Sequence, residues 1–138
     1  MAKALDCKWI ILDHLSIVVS SQETDDERKA IDAIMTKLRT LVQETGIGLF
    51  LVSHLRKATN RAYEDGGQIS LADLRGSSSI ANLTDICLGL ERDQQEEDEE
   101  KRNVTTVRVL KNRYTGLTGV ACRLQYNRHT GRMAEVVA

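Results

Sequence analysis

A carboxylate at the end of an apolar run is the first residue of this chain that could do chemistry. Trp9–Leu12 (WIIL) is followed directly by Asp13. A continuous apolar run is typical of a parallel strand that is covered on both faces, and open α/β sheets bind ligands beyond the carboxyl ends of such strands. Asp13 has two interpretations: a residue that caps the loop after a strand, or a carboxylate that orients nucleotide-bound magnesium through a coordinated water.

A histidine follows a second apolar run in the same way. Residues 47–54 read IGLFLVSH, so His54 stands just beyond a predicted strand. Adjacent parallel strands lie about 4.8 Å apart, and the ends of these two strands could therefore face one bound phosphate. His54 is then either a structural histidine that is hydrogen-bonded at a strand end, or a donor to a γ-phosphate that reports its loss to the following loop.

The segment after His54 concentrates positive charge. Residues 55–70 lack periodicity and contain a Gly-Gly pair, which predicts a mobile loop. This loop and the segment DLRGSSS contribute cations and small donors, namely Arg56, Lys57, Arg61, Arg75, Gly76 and Ser77. They form either a solvated basic surface or a surface that tracks the backbone of single-stranded nucleic acid. In the second case Gly76 lets an amide approach a phosphate, and Ser77 adds a hydroxyl.

A further pair of cations follows the predicted strand at residues 104–110 (VTTVRVL). Lys111 and Arg113 are two residues apart, and alternate residues of an extended segment share a face. Two cations on one side of a strand end can reach a phosphate on a neighbouring subunit, which is the geometry of an arginine finger supplied in trans. Arg108 lies within the strand, where ordinary surface charge is the default interpretation.

These candidates require a strand–helix–strand unit to position them. Residues 24–27 (TDDE) have the spacing of a capping box with Thr24 as N-cap and Glu27 reaching back. Apolar residues recur at helical spacing from Ile31 to Val42, and Gly46 supplies a C-terminal stop. The pattern predicts a βαβ unit with a right-handed crossover, in which residues 14–23 are a connection.

The rest of the chain predicts a helix and further strands. A helix is expected from about Ser78, a third strand at residues 86–90, and a solvated acidic connection at residues 92–102. Alternating segments predict strands at residues 104–110, 120–126 and near 132–137. We therefore expect one α/β domain, with a parallel core and an antiparallel C-terminal extension.

Composition limits the classes of function. The net charge of the 138 residues is −1, so any nucleic-acid site must be a local concentration of basic groups. Three widely spaced cysteines without a C-x-x-C motif argue against a zinc site or a disulfide framework and fit a reducing compartment. Neither a membrane span nor the apolar core of a signal peptide is present in the sequence. These features predict a cytoplasmic protein without a membrane partner.

Four motifs together resemble a known family. The series WIILDH, LFLVSHLRK, DLRGSSSIANLTD and LKNRYTGLTG is similar to the RecA-like motor of hexameric replicative helicases of the DnaB type. The resemblance is strongest to the primase–helicases of tailed phages, and it extends over essentially the whole chain. It implies a RecA-like (P-loop NTPase) α/β fold: a mostly parallel sheet with helices and an antiparallel C-terminal extension.

The resemblance also implies roles for individual residues. Asp13 corresponds to the Walker-B aspartate of the magnesium site, His54 to the γ-phosphate sensor, and Arg113 to the arginine finger, with Lys111 as its companion. The loop after His54, together with Arg75 and Gly76, corresponds to the DNA-binding loops of the central channel. In that family, hydrolysis of ATP, dTTP or another NTP with Mg²⁺ drives a homo-hexameric ring 5′ to 3′ along one DNA strand in the bacterial cytoplasm, and a phage gene is one source.

Two motifs that the family carries before its Walker-B aspartate are not found before Asp13. The phosphate-binding loop G-x-x-x-x-G-K-[ST] and the catalytic glutamate lie upstream of the Walker-B strand in the family, and neither is found here. We therefore expect residues 1–138 to be the C-terminal half of a motor domain, inactive alone and dependent on the N-terminal half for ring assembly. Ala81 stands where an additional basic residue is expected.

Two alternatives remain open at this point. The chain could be a non-catalytic single-stranded DNA-binding or assembly module derived from such a helicase. It could also belong to another class of RecA-like ATPase, of the recombination or clock type.

Overall fold

The structure, a computed structural model, describes residues 6–20, 26–58, 62–75 and 78–136. In these ranges the strands are β1 (Trp9–Leu12), β2 (Gly48–Leu51), β3 (Ile86–Glu91), β4 (Val104–Asn112), β5 (Gly119–Asn127) and β6 (Arg132–Glu135). The helices are α1 (Leu15–Ser20), α2 (Glu27–Thr45), α3 (Ser78–Leu83) and α4 (Glu99–Arg102), with a short 3₁₀ turn at Leu71–Asp73. Two compact units are formed, one from Met1–Arg56 with Leu74–Thr84, the other from Lys57–Asp73 with Asp85–Ala138.

The first unit contains the predicted strand–helix–strand arrangement. β1 and β2 pair in parallel, with Trp9 opposite Gly48 and Leu12 opposite Leu51. The pairing continues past the strands, because the Val52 N–H donates to the Leu12 carbonyl over 3.0 Å. The carboxyl ends of the two strands therefore lie side by side, as predicted.

Helix α2 is positioned by a different cap from the one predicted. The side chain of Asp26 accepts hydrogen bonds from the Arg28 and Lys29 N–H groups, and the backbone hydrogen bond from Lys29 is the largest cause of the lowered pKa of the Asp26 carboxyl. The predicted N-cap, Thr24, lies outside the described residues, and Glu27 is the first residue of the helix, so the capping box with Thr24 is wrong. Gly46 ends the helix at φ 70°, a left-handed conformation that favours glycine, as expected.

The helices supply most of the core of this unit. Residues 15–20 form α1, although the sequence predicts a connection here. The sequence pattern misses this helix because its β-branched residues Ile17, Val18 and Val19 have a low helix propensity. The buried apolar side chains come mainly from the helices and are Leu15, Ala30, Ile31, Ile34, Met35, Ile47, Leu74 and Ile80.

One face of the parallel pair is open. Trp9 and Ile11 are 65% and 74% exposed, so the prediction of a strand covered on both faces is wrong for the described chain. Successive side chains of a strand point to opposite faces, and no described residue covers the face that carries these two. The Trp9 ring also contacts Phe50 of β2, with ring centroids 5.4 Å apart.

The second unit is an antiparallel sheet with the strand order β3-β4-β5-β6. Its four strands lie at the predicted segments: β3, β4 and β5 extend one or two residues beyond the predicted bounds, whereas β6 ends at Glu135, before the predicted end at residue 137. The acidic connection between β3 and β4 contains α4, which begins after the N-cap Asp98. A parallel core with an antiparallel C-terminal extension was therefore a correct expectation. None of the described helices combines the length and apolar character needed to cross a membrane.

Candidate nucleotide and nucleic-acid site

Asp13 directly follows β1 and is exposed to solvent. Its position results from the β1–β2 pairing, which places the segment after β1 beside the segment after β2. Mg²⁺ in nucleotide sites is bound by one or two carboxylates, together with waters and substrate phosphates. An accessible carboxylate at a strand end fits that donor set. In the described part of the chain, no three His, Cys, Asp or Glu side chains are grouped so as to hold a metal by themselves.

His54 meets a second histidine that sequence reasoning did not select. The rings of His14 and His54 contact each other with centroids 4.2 Å apart and planes at 66°, an edge-on arrangement. The backbone brings them together, because the Leu15 N–H donates to the Val52 carbonyl over 2.9 Å. The available signal was the position of His14 in the same motif as Asp13.

The backbone of His54 is linked to Arg75. The His54 carbonyl accepts a hydrogen bond from the Arg75 N–H over 3.1 Å, and Leu55 forms an antiparallel bridge with Leu74. The chain that leaves the site at His54 therefore returns to it at Arg75. The structure brings these two predicted site residues together, although they are distant in sequence.

The guanidinium of Arg75 is paired with a carboxylate. Its Nη2 lies 3.3 Å from Oε1 of Glu27, in the first turn of α2, and both side chains are about half exposed. Glu27 was predicted only as part of a capping box. Its role beside Arg75 could not be predicted, because the contact depends on the tertiary fold.

The structure describes only some of the other predicted DNA-binding residues. Arg56 and Lys57 are exposed, whereas Arg61, Gly76 and Ser77 lie outside the described residues. A cavity of about 380 Å³ is lined by Lys57, Ala58, Ala62, Tyr63 and Glu64. Among the described residues its lining carries one cation, the predicted DNA-binding residue Lys57, and one carboxylate. It includes neither Asp13 nor His54, so it is not the predicted nucleotide site.

Residues 62–70, in the second half of the loop that follows His54, contact the antiparallel sheet. Ile69 is buried, at 4% exposure, and its N–H donates to Oε1 of Glu91 over 2.9 Å. Nearby, the Gln94 N–H donates to the Glu64 carbonyl over 2.7 Å. Residues 62–70 therefore form a loop as predicted, but one with defined contacts to β3 and the segment after it.

Glu91 also forms an ion pair with Arg108. The guanidinium donates to both carboxylate oxygens over 2.7 and 3.0 Å, and the side chains are only 10% and 21% exposed. Burial acts to raise the pKa of Glu91, but hydrogen bonds from Arg108 and Ile69 outweigh it and hold this pKa below its ordinary value. The default interpretation of Arg108 as surface charge is therefore wrong, since its side chain is mostly buried in an ion pair.

Arg113 stands just beyond β4 and is held at the start of β3. Its N–H donates to the Asp85 carbonyl over 2.8 Å, and its Nη1 lies 3.3 Å from Oδ1 of the same residue. Lys111 lies inside β4, opposite Cys87. The side chain of Arg113 remains 42% exposed, which leaves room for a further anion. Asp85 was not selected from the sequence.

Comparison with known proteins gives consistent matches. The family model described as DnaB-like helicase C terminal domain matches residues 1–135. A DNA helicase/primase of Enterobacteria phage T3 is 46% identical over 132 residues, which are 95% of this chain and 23% of that protein. A probable plasmid replicative DNA helicase of Chlamydia psittaci is 29% identical over 125 residues, which are 89% of this chain and 26% of that protein. The chain thus spans about a quarter of the length of these curated relatives.

Solved structures match in fold. A solved ATPase domain superposes with a TM-score of 0.76 at 24% identity, over 94% of this chain and 44% of that one. A DnaB-like replicative helicase, solved in a study of its interactions with primase, gives 0.79 at 23% identity, over 94% of this chain and 31% of that one. This chain therefore shares its fold with both proteins over 94% of its length, which confirms the predicted fold class.

Proposed function

Because this chain belongs to the DnaB-like helicase C-terminal domain family, we propose that it forms the Walker-B, sensor and arginine-finger part of a replicative DNA helicase motor. The observation that carries the proposal is the parallel pairing of β1 and β2, which sets Asp13 and the His14–His54 ring pair at adjacent strand ends. Ligands of open α/β sheets bind at such an edge. The 46% identity to a phage helicase/primase supports the same assignment.

At the nucleotide, each residue has a distinct task. A bound Mg²⁺–NTP, with ATP or dTTP as the nucleotide, supplies the phosphoanhydride bond and the metal charge. The exposed Asp13 carboxylate would hold Mg²⁺ through a coordinated water, and the imidazole of His54 would donate to the γ-phosphate. Arg113 of one subunit, with Lys111, reaches the phosphates bound by the next subunit and stabilises the charge of the transition state.

On the DNA side, basic groups follow the phosphate backbone of one strand. The proposed contacts come from the loop after His54 and from the segment that begins at Arg75, and they are Arg56, Lys57, Arg61, Arg75, Gly76 and Ser77. The hydrogen bond between His54 and Arg75 provides a direct backbone link from the nucleotide end to this segment. Homo-hexameric assembly and 5′ to 3′ translocation in the bacterial cytoplasm, with duplex unwinding, complete the proposal.

The phosphate-binding loop comes from polypeptide outside these residues. No G-x-x-x-x-G-K-[ST] motif occurs in the sequence, and the backbone amides and lysine of that motif are what neutralise the β- and γ-phosphates. We use the term complete motor for this chain combined with a part that bears the P-loop. That part can lie on the same polypeptide or on a separate one.

Reconstitution tests the proposal. The 138-residue chain alone should show no Mg²⁺-dependent NTP hydrolysis, and the complete motor should hydrolyse NTP and unwind DNA. Arg113→Ala should then abolish turnover and leave Asp13-dependent nucleotide binding largely intact. Hydrolysis by the pure chain, or a complete motor that is indifferent to Asp13→Asn, would contradict it.

A non-catalytic single-stranded DNA-binding module is the second candidate, and the exposed cations Arg56 and Lys57 of the loop after His54 favour it. A titration of the chain alone with single-stranded DNA separates the two. Salt-sensitive binding that Arg75→Ala weakens indicates that the chain carries a DNA surface by itself, and the salt slope should fall by about one for one lost phosphate contact. Family membership favours both candidates over a RecA-like ATPase of the recombination or clock type.

A further inference from the structure

We infer that His14 is a positioning residue for His54: its imidazole sets the orientation in which the His54 ring meets the γ-phosphate. The inference rests on the role proposed above for His54 and extends that site to a second histidine. Its basis is a ring contact, a partly buried imidazole and the backbone that holds it.

The ring contact is the first observation. The two centroids are 4.2 Å apart and the planes meet at 66°, an edge-on arrangement that flat π systems favour. His54 itself is exposed, and an exposed side chain without such a neighbour exchanges between rotamers on a short timescale. Contact with a fixed ring restricts that exchange and selects one orientation.

His14 is itself held in place. Its side chain is partly buried, and the next residue, Leu15, is 3% exposed. The Leu15 N–H donates to the Val52 carbonyl over 2.9 Å, which fixes the backbone between the two strand ends. The His14 ring is therefore a rigid surface against which the more exposed His54 ring can rest.

The Nδ1 atom of His14 does not account for the placement of the ring. This atom is buried and has no hydrogen-bond partner among the described residues. The contact that the structure does give this ring is the one with His54. It follows that an aromatic ring of similar size, without nitrogen atoms, should serve in its place.

Three variants of the complete motor test this inference. His14→Ala removes the ring and should lower kcat for NTP hydrolysis about tenfold with little change in KM, since orientation acts on the chemical step more than on binding. His14→Phe keeps a ring edge and should retain most of the activity. His129→Ala is the matched control, because His129 lies in the exposed turn between β5 and β6, and it should change neither parameter.

A spectroscopic readout on the 138-residue chain accompanies the kinetics. With only three histidines in the sequence, the imidazole resonances can be assigned by substitution. The His54 ring protons should lose the ring-current displacement in His14→Ala and keep it in His14→Phe. This signature reports the ring contact itself and does not follow from a general loss of stability.

The outcomes separate this inference from the proposed function. If His54→Ala is inactive and a folded His14→Ala variant keeps its full kcat, the positioning role is overturned. A His14→Phe variant that folds and is as defective as His14→Ala also overturns it, because a nitrogen atom would then be the required group. If His14→Ala fails to fold, folded His14→Phe is compared with the native motor instead: a kcat near the native value supports the positioning role, and a tenfold loss overturns it. If His54→Ala retains full hydrolysis, the sensor role itself is wrong.

Discussion

The backbone N–H of Arg75 donates a hydrogen bond to the backbone carbonyl of His54 over 3.1 Å. The two residues are far apart in the sequence, yet the bridge between Leu55 and Leu74 brings the chain back beside the strand end from which it departed. The strand end at His54 and the DLRGSSS segment at Arg75 are therefore joined by a backbone hydrogen bond that lies outside the intervening loop. This relationship links the proposed phosphate sensor to the proposed DNA surface.

Glu27 should compete with DNA for Arg75. Because the Glu27 carboxylate lies 3.3 Å from the Arg75 guanidinium in the described state, Glu27→Gln should release that cation for a phosphate. Exposed ion pairs contribute about 0.2–1 kcal/mol, so affinity for single-stranded DNA should rise only about two- to fivefold at low salt. Fluorescence anisotropy of a labelled oligonucleotide measures the change.

The matched control for this prediction is Glu44→Gln. Glu44 is exposed near the other end of α2, and its substitution changes the net charge by the same amount. An equal gain in affinity from both variants would show a general charge effect and would contradict a specific competition at Arg75.

Glu91 should make stability depend on acid pH. The hydrogen bonds from Arg108 and Ile69 lower its folded pKa below the ordinary value of 4.5. Its contribution is therefore complete above that value and is lost as the pH falls through the lower, folded pKa. Glu91→Gln should lower the midpoint of thermal unfolding by about 5 °C or more near neutral pH, and the difference from the native chain should shrink below about pH 4.5.

Thermal unfolding tests the Glu91 prediction. It is followed by circular dichroism between about pH 3 and 7, a range that spans the titration of a carboxyl group. Glu97→Gln is the control, because Glu97 is exposed in the acidic connection. A Glu91 variant whose deficit is the same at every pH would contradict the linkage, even if the variant is destabilised.

Asp26, and not Thr24, should cap the longest described helix. Asp26→Ala removes the acceptor for the Arg28 and Lys29 N–H groups and should lower the unfolding midpoint by about 3–5 °C. Thr24→Ala tests the capping box that the sequence pattern favours and should change the midpoint much less. The reverse order of the two effects, measured by the same thermal scans, would restore the original prediction.

The residues at the strand ends were predictable from the sequence, whereas the carboxylates that pair with the arginines Arg75, Arg108 and Arg113 were not. Asp13 and His54 could be selected because each follows an apolar run, a local pattern that reports a strand and its end. Glu27 beside Arg75, Asp85 beside Arg113, and Glu91 beside Arg108 are long-range ion pairs, and no local spacing encodes them. The exposure of Trp9 and Ile11 was missed for a related reason: an apolar run specifies strand formation, but the described chain covers only one face of that strand.

In the proposed motor, Asp13 of one subunit and Arg113 of the next act on the same nucleotide, and mixed rings of the complete motor distinguish this arrangement from one within a single subunit. Rings of Asp13→Asn subunits and rings of Arg113→Ala subunits should each fail to hydrolyse NTP. Co-assembled in equal amounts, the two variants should recover hydrolysis at about a quarter of the interfaces, those that pair an intact Asp13 with a neighbour's intact Arg113. Mixed rings that remain as inactive as either parent would contradict the account.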